Sequence, residues 1–318
     1  MAARRSSAGS GTPVEDGAEI GLPELGALVD CLAQMGAREA MGMVIEAKLP
    51  ELRDEDVAKH FTEFKGAPLW RRCPREGVPR SSWMGSPEHE DGRRDDERRV
   101  LVHLSRPLWV MSTSVTFGQW SLMADQVEHE HIWGRDAHLP ITHVTWFEAR
   151  LFGRWLEHWR RERPSAWSAA IPSEAAAHGI TLPTEAQREY FTRGGTTTRF
   201  WSGDGDADLA RVGWYGDNSA DQLHAVGEKD PNAFDLHDVH GNVWEWCLTW
   251  YAEDLAGGHD PLDPRTGRVR VLRGGSYWND AGWCRSADRG WFSPDGAWDD
   301  EGFRLVLSAP ERSSKFDD

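Results

Sequence analysis

The stretch that most constrains this chain is Asp235-Leu236-His237-Asp238-Val239-His240-Gly241-Asn242-Val243-Trp244-Glu245-Trp246. Gly241-Asn242 suits a tight turn. Beyond it Trp244 and Trp246 point to one side and Val243 and Glu245 to the other, the period-two pattern of a half-buried strand. Two indoles on one face bury a large area, so the segment is predicted to be a core strand. Asn242 and Glu245 also set an amide oxygen and a carboxylate beside the turn, donors that suit a hard cation such as Ca²⁺.

The remainder of the chain agrees with a fold built from turns around aromatic anchors. Among 318 residues are 18 Trp, 32 Gly and 17 Pro. Lys and Arg total 36 against 52 Asp and Glu, a net charge of −16. Such a surface repels phosphate backbones, which argues against nucleic acid as a partner. No stretch approaches the length of a membrane-spanning helix, and Met1–Asp16 has arginines but no apolar run after them, so neither a membrane span nor a secretory signal is read. Cys31, Cys73, Cys247 and Cys284 lie far apart with no C-x-x-C pair. They read as reduced, mostly buried thiols of a cytoplasmic protein.

Taken in order, residues 1–18 read as a disordered tail. Residues 19–65 read as a small helical module. Leu22, Leu25, Leu28, Val29, Leu32 and Met35 recur at helical steps, a second run covers 37–47, and a third short helix starts near Asp54 and carries Phe61 and Phe64. This module is either an extension packed on the main domain or an adaptor that docks a partner protein through residues 20–64. Residues 66–79 read as a linker, and the mixed charge run Glu88–Arg99 as a solvated loop. Strands are predicted around 100–104, 109–111 and 141–146. A helix follows Phe117, another covers Phe147–Arg161 with Thr145 as N-cap, and a third starts at Thr184, with Gln187 completing a capping box and Gly194-Gly195 ending it. From Arg199 to Val306 only short strands and turns are read, before a tail at 309–318. The fold class is α+β.

The chemical motifs are mostly negative. Asp204-Gly205-Asp206-Ala207-Asp208 opens like an EF-hand loop, but Leu209 and Tyr215 stand where the turn Gly and the closing Glu belong. His129-Glu130-His131 is too tightly spaced for a helix-borne zinc site. His237 and His240 could share a metal or simply hydrogen-bond the turn. No phosphate-binding glycine loop or serine-hydrolase elbow is present.

Eight short motifs occur in one order: Trp83-Met84-Gly85-Ser86, Val115-Thr116, His143-Val144-Thr145-Trp146, Leu182-Pro183-Thr184-Glu185-Ala186, Arg193-Gly194-Gly195, Gly241-Asn242-Val243-Trp244-Glu245-Trp246, Arg273-Gly274-Gly275-Ser276 and Gly302-Phe303-Arg304. This series resembles the formylglycine-generating enzyme (sulfatase-modifying factor) family and covers residues 80–308. The resemblance implies a C-type lectin-like fold with structural Ca²⁺. Asn242, Glu245 and the carbonyl of Val243 then resemble one calcium site. Asn218 and the carbonyl of Ser219 resemble part of a second, in which Gly227 replaces the aspartate of some members.

The catalytic members of the family hold copper on a cysteine pair just before an Ala-Ala-Arg. Here Ala281 and Ser286 occupy those two positions before Ala287-Asp288-Arg289, and Cys284 falls between them without a partner. A two-sulfur copper site is therefore not expected. A second, iron-dependent branch that makes sulfoxides takes histidines from a four-helix domain, whereas the helical module here contains only His60. Neither copper nor iron is expected, and no catalytic residue is assigned.

A third branch, the variable proteins of diversity-generating retroelements, uses the same fold to bind ligands, and residues 270–306 resemble its variable region. On that reading the recognition surface comprises Tyr277, Trp278, Asn279, Asp280, Trp283, Asp288, Trp291, Phe292, Asp295, Trp298 and Asp299, facing a protein or small-molecule ligand. The alternative is an oxygen- and metal-dependent oxidase whose rearranged site uses Cys284, Cys247 or histidines.

Overall fold

The computed structural model describes residues 54–124, 136–162, 171, 173–175, 177–261, 264 and 266–308. The tails at 1–18 and 309–318, the first two helices of the expected N-terminal module and His129-Glu130-His131 lie outside the described residues. Within them, helices α1 (Asp54–Phe61), α2 (Phe117–Ala124), α3 (Trp146–Glu162), α4 (Glu185–Arg193) and α5 (Asp206–Val212) pack around short strands.

Two four-stranded sheets organise the molecule. One contains β3 (Trp70–Cys73), β6 (Leu108–Met111), β13 (Val306–Ser308) and β7 (Gly179–Thr181), all paired antiparallel in that order. The other runs β11 (Gly290–Phe292), β10 (Arg270–Arg273), β8 (Trp244–Trp250) and β12 (Glu301–Gly302), the last pair parallel. A third, small sheet joins β4 (Ser81–Met84), β5 (Val100–His103) and β9 (Gly258–His259), and β1 (Glu63–Phe64) pairs with β2 (Ala67–Pro68). The segment 303–305 crosses between the two large sheets: the carbonyls of Phe303 and Leu305 accept from the amides of Val115 and Met111 at 2.9 and 3.1 Å.

The predicted core strand is β8. Trp246 is fully buried, and its indole donates to the Val144 carbonyl at 3.0 Å. Trp146 at the start of α3 donates across the same interface to the Cys247 carbonyl at 2.9 Å. The main apolar cluster gathers Trp109, Trp120, Trp146, Phe152, Trp155, Trp159 and Trp246, so most indoles at helical or strand spacing are core. Both predicted helix starts appear. Thr145 Oγ1 accepts the Glu148 amide at 3.1 Å while Glu148 accepts back from Thr145, and Thr184 and Gln187 form the reciprocal box that opens α4. Gly194, with φ +57°, ends α4.

The structure corrects several expectations. Residues 66–79 are not a bare linker, because β3 within them pairs residue for residue with β6. The charge run Glu88–Arg99 is not solvated throughout: Glu97 is fully buried against Arg285. Residues 141–146 form no strand. A helix, α5, follows Arg199 after all; Asp208 reaches back to the Gly205 amide at 3.1 Å and so caps the segment whose aspartates looked like a loop. The described part of the N-terminal module, α1, packs on the main domain: Val57 and Phe61 lie in the core cluster, and Gln119 donates to the His60 carbonyl at 2.9 Å.

Candidate functional site

Arginine and carboxylate side chains pair beneath the β8–β10 sheet. Glu245, opposite the tryptophans of β8, is fully buried. It accepts from Arg188 Nε at 2.8 Å, Arg304 Nη2 at 2.9 Å and Ser114 Oγ at 2.8 Å. Burial alone would push its carboxyl up, but Arg188 and Arg304 pull it below the usual range. Arg273 pairs with Glu189, Arg289 with Glu185 at 2.7 Å, and Arg285 with Glu97 at 2.6 Å. The polar face of α4 is thus buried against arginines from β10 and the segment after it. Such pairs specify one docking geometry rather than add much net stability.

This network decides the fit of the expected calcium sites. Both oxygens of Glu245 are held by guanidinium groups, a donor set that repels a cation. Asn242 stands at φ +61°, its Oδ1 accepting the His224 amide at 3.2 Å and its Nδ2 donating to the His224 carbonyl at 3.0 Å. Asn218 Oδ1 accepts the Tyr215 amide at 2.9 Å, and the Ser219 carbonyl lies 2.8 Å from His224 Nε2. Val243 is buried and its amide bonds to Gly241. Glu245 does not fit Ca²⁺ as it stands, and the oxygens of Asn242 and Asn218 are engaged by backbone amides. Among the described residues no three His, Cys, Asp or Glu side chains gather where they could hold a metal ion.

The same residues do something else. The Asn242 carbonyl accepts the Tyr277 amide at 3.0 Å, and Ser219 Oγ donates to the Tyr277 carbonyl at 2.8 Å. They anchor the start of the segment predicted to be the recognition surface. Next in that segment, Asn279 Oδ1 accepts the Ser276 amide at 2.8 Å, closing a turn that a 3₁₀ helix at Ala281–Cys284 continues. Gly275, at φ +72°, has no room for a Cβ, which would meet Cys284 Sγ at 2.6 Å. That close approach is why Arg273-Gly274-Gly275-Ser276 carries its glycines.

The predicted surface residues separate into groups. Trp278, Trp283, Trp291 and Trp298 are 52, 44, 53 and 57 % exposed and make up most of the large exposed apolar side chains among the described residues. Asp280, Asp295 and Asp299 are exposed beside them. Trp283 meets Trp244 edge-on at 6.5 Å, and Trp298 meets Phe292 edge-on at 5.8 Å. Trp291 alternates with Gly290 and Phe292 along β11 and so points to the other face of the sheet, against Tyr251 at 5.8 Å. Tyr277 is buried, with its ring 5.4 Å from Trp278. Asp288 is also buried, paired with Arg94 and Arg285 and pushed up to about 6 by that burial. These two support the surface from beneath.

Sequence reasoning missed Glu301. It lies on β12 in register with Trp244, only 5 % exposed, with no hydrogen-bond partner for Oε2. Burial, with the charge of Asp300 beside it, pushes its carboxyl up to about 8. Its sequence signal was the acidic run Asp299-Asp300-Glu301, which reads as an ordinary solvated turn.

Among the described residues the thiols lie in the interior. Ala281 and Ser286 carry no sulfur, and Cys73, Cys247 and Cys284 are all buried, burial pushing each thiol up. His240 is a satisfied core residue. Its Nδ1 donates to the Cys284 carbonyl at 2.7 Å, its Nε2 accepts the Trp201 amide at 3.1 Å, and burial holds it down at about 3. His237 bonds to the Lys229 carbonyl at 2.8 Å. No helix among the described residues is long and apolar enough to cross a membrane.

Comparison with known proteins gives a consistent set of relatives. The model of the sulfatase-modifying factor enzyme 1-like domain matches residues 81–309. The formylglycine-generating enzyme of Streptomyces coelicolor is 34 % identical over 198 residues, spanning 56 % of this chain and 55 % of that protein. The inactive Cα-formylglycine-generating enzyme 2 of Mus musculus is 29 % identical over 192 residues, 54 % of this chain and 50 % of that one. The chain thus spans about half the length of these curated relatives. Among solved structures, Treponema denticola variable protein 1 is similar with a TM-score of 0.63 and 25 % identity, covering 77 % of this chain and 98 % of that one. PvdO from Pseudomonas aeruginosa shares the fold, with a TM-score of 0.61 and 20 % identity over 73 % of this chain and 92 % of that one.

Proposed function

The chain belongs to the family of sulfatase-modifying factor enzyme 1-like domains, and from that premise we propose that it is a non-catalytic member that binds a protein or other ligand through the tryptophan surface at 278–298. One observation carries the reading. Several large indoles in one short segment stand open to solvent, although the same fold buries Trp109, Trp120, Trp146, Trp159 and Trp246 completely. Exposed indoles interleaved with short polar side chains are costly unless a partner covers them, and Trp is the residue type most enriched among binding hot spots.

Two further points support binding over oxidation. The copper-binding thiols of the catalytic relatives have no counterpart at Ala281 and Ser286. The remaining described thiols are buried as neutral groups, and metal binding or nucleophilic attack needs the thiolate. The relatives include both an enzyme and a protein named inactive, so the site rather than the family favours binding. The likeness to a variable protein accords with the same reading, and retroelement diversification of residues 272–306 is its more specific form.

The test is selection from a random peptide library. The wild-type chain is panned against counter-selection with the Trp278→Ala, Trp283→Ala, Trp298→Ala variant, whose unfolding midpoint is checked to be near wild type. Peptides retained by the wild type and released by the variant are expected. Recovery of only peptides that bind both equally would overturn the assignment of this surface.

A further inference from the structure

Resting on the binding reading above, we propose that the face formed by Trp283, Trp298 and Glu301 takes a cationic side chain, guanidinium or ammonium, presented by a basic segment of a partner protein. Register places the pieces together. Glu301 pairs with Trp244 across β12 and β8, and Phe292 stands on the same face of the sheet through β10 and β11. Trp283 reaches this face through its edge contact with Trp244, and Trp298 through its edge contact with Phe292, which is in register with Arg270 and Trp250; the Glu301 amide also donates to the Trp298 carbonyl at 3.3 Å. The result is an aromatic surface with a carboxyl set into it.

Charge selects the occupant. Asp280, Asp295, Asp299, Asp300 and Glu301 form no ion pair with Lys, Arg or His among the described residues. Elsewhere the interior carboxylates Glu97, Glu185, Glu189 and Glu245 each hold an arginine, whereas buried Asp238, like Glu301, keeps one oxygen without a partner. Glu301 is the sharpest case, because its Oε2 is buried with no donor at all. The Trp298 backbone already donates to this carboxyl, and an incoming cation adds the missing donor for Oε2 together with the charge.

The indoles favour the same chemistry, since a ring face attracts a cation. This chain already uses that attraction within itself. Arg94 lies 4.6 Å over the Trp283 ring, and Arg270 lies 3.6 and 3.4 Å from the Trp146 and Trp250 rings. A partner protein suits the site better than a small amine, because the exposed indoles Trp283 and Trp298 and the exposed Asp280, Asp295 and Asp299 are spread along the segment from residue 280 to 299.

Cation binding must couple to the Glu301 proton. The charged groups acting on it are Asp299 and Asp300 of its own loop. β8 offers only the uncharged Trp244 at that register, and His143, before α3, acts on Asp300. In the free chain Glu301 holds its proton up to about pH 8, and a bound cation favours the ionised form. Binding therefore releases a proton, and affinity rises with pH until that range is passed.

The experiment is fluorescence anisotropy of labelled octa-arginine and octa-glutamate peptides at near-physiological salt, against the wild type, Trp283→Ala/Trp298→Ala and Glu301→Gln. The tryptophan variant keeps the full net charge and therefore any unspecific attraction. We expect octa-arginine to bind the wild type about tenfold more tightly than the tryptophan variant. We also expect affinity to strengthen from pH 6 to pH 8.5 in the wild type, with a flatter profile in Glu301→Gln. Equal binding by all three chains, or no binding, would overturn the proposal. Trp-dependent binding of octa-glutamate would overturn the cation assignment while leaving the binding surface itself standing. Recovery from the library of only peptides that bind the wild type and the triple variant equally would, by contrast, be a failure of the surface.

Discussion

At the residue scale, Glu245 and Glu301 are two buried carboxyls with opposite fates. Glu245 is held by Arg188 and Arg304 and stays ionised, so removing its charge leaves those two guanidinium groups facing each other in the interior. Glu245→Gln should cost about 3–5 kcal/mol in denaturant unfolding, the usual penalty for breaking one side of a buried pair. Because arginines and not a metal neutralise it, chelation with EDTA should leave the unfolding midpoint unchanged; a large drop would reinstate a calcium site. Glu301 has no such partner. A carboxyl whose folded value lies above its unfolded one contributes fully below about pH 4.5, and that contribution is lost as pH rises through about 8. Glu301→Gln should therefore raise the thermal midpoint by several degrees at pH 9 and hardly at all at pH 4.5. Equal shifts at both would show that Glu301 ionises normally.

At the element scale, local chemistry fixes where the functional segment begins and how it is supported. Gly241 holds φ +71°, and a Cβ there would come within 2.0 Å of the Trp214 carbonyl oxygen. Gly241→Ala should cost more than about 2 kcal/mol, from backbone strain and the clash together. Thr184→Ala removes only the acceptor for the Gln187 amide at the start of α4, and about 1 kcal/mol is expected in the same denaturation assay. These features were legible in the sequence because they depend on neighbours: the N-cap at Thr145, the capping box at Thr184, the stop at Gly194 and the alternation of β8 are local patterns. What escaped is what depends on distant partners. The mixed charges at 88–99 read as solvated because Arg285, which buries Glu97, lies almost two hundred residues away. β3 looked like linker for the same reason, since its pairing partner is β6. α5 was hidden by aspartates that favour loops until one of them caps a helix.

At the scale of the whole molecule, one loop-rich scaffold serves two ends. Tryptophans at helix and strand spacing close its core, buried arginine–carboxylate pairs lock the segment 273–289 to α4 and the 86–97 loop, and the indoles left over face outward. The order of short motifs identified the family and the segment that would carry recognition. Sequence could not sort that segment by depth: Asp288 and Tyr277 belong to its support, Trp291 to the opposite sheet face, and Glu301 is buried beside Trp298. The expected metal donors show the same limit: Asn242, Asn218 and Glu245 have suitable oxygens, but a sequence does not reveal which donors already occupy them.

Oxygen uptake distinguishes a scaffold that binds, as proposed, from one that oxidises. The copper-loaded chain is incubated with a cysteine-containing sulfatase peptide under reducing conditions, with oxygen consumption followed and the peptide examined by mass spectrometry. On the proposed reading, with Ala281 and Ser286 in the thiol positions and Cys284 buried, uptake equal to that of copper alone and an unchanged peptide cysteine are expected. Copper-dependent conversion of that cysteine to formylglycine, lost in Cys284→Ser, would contradict it.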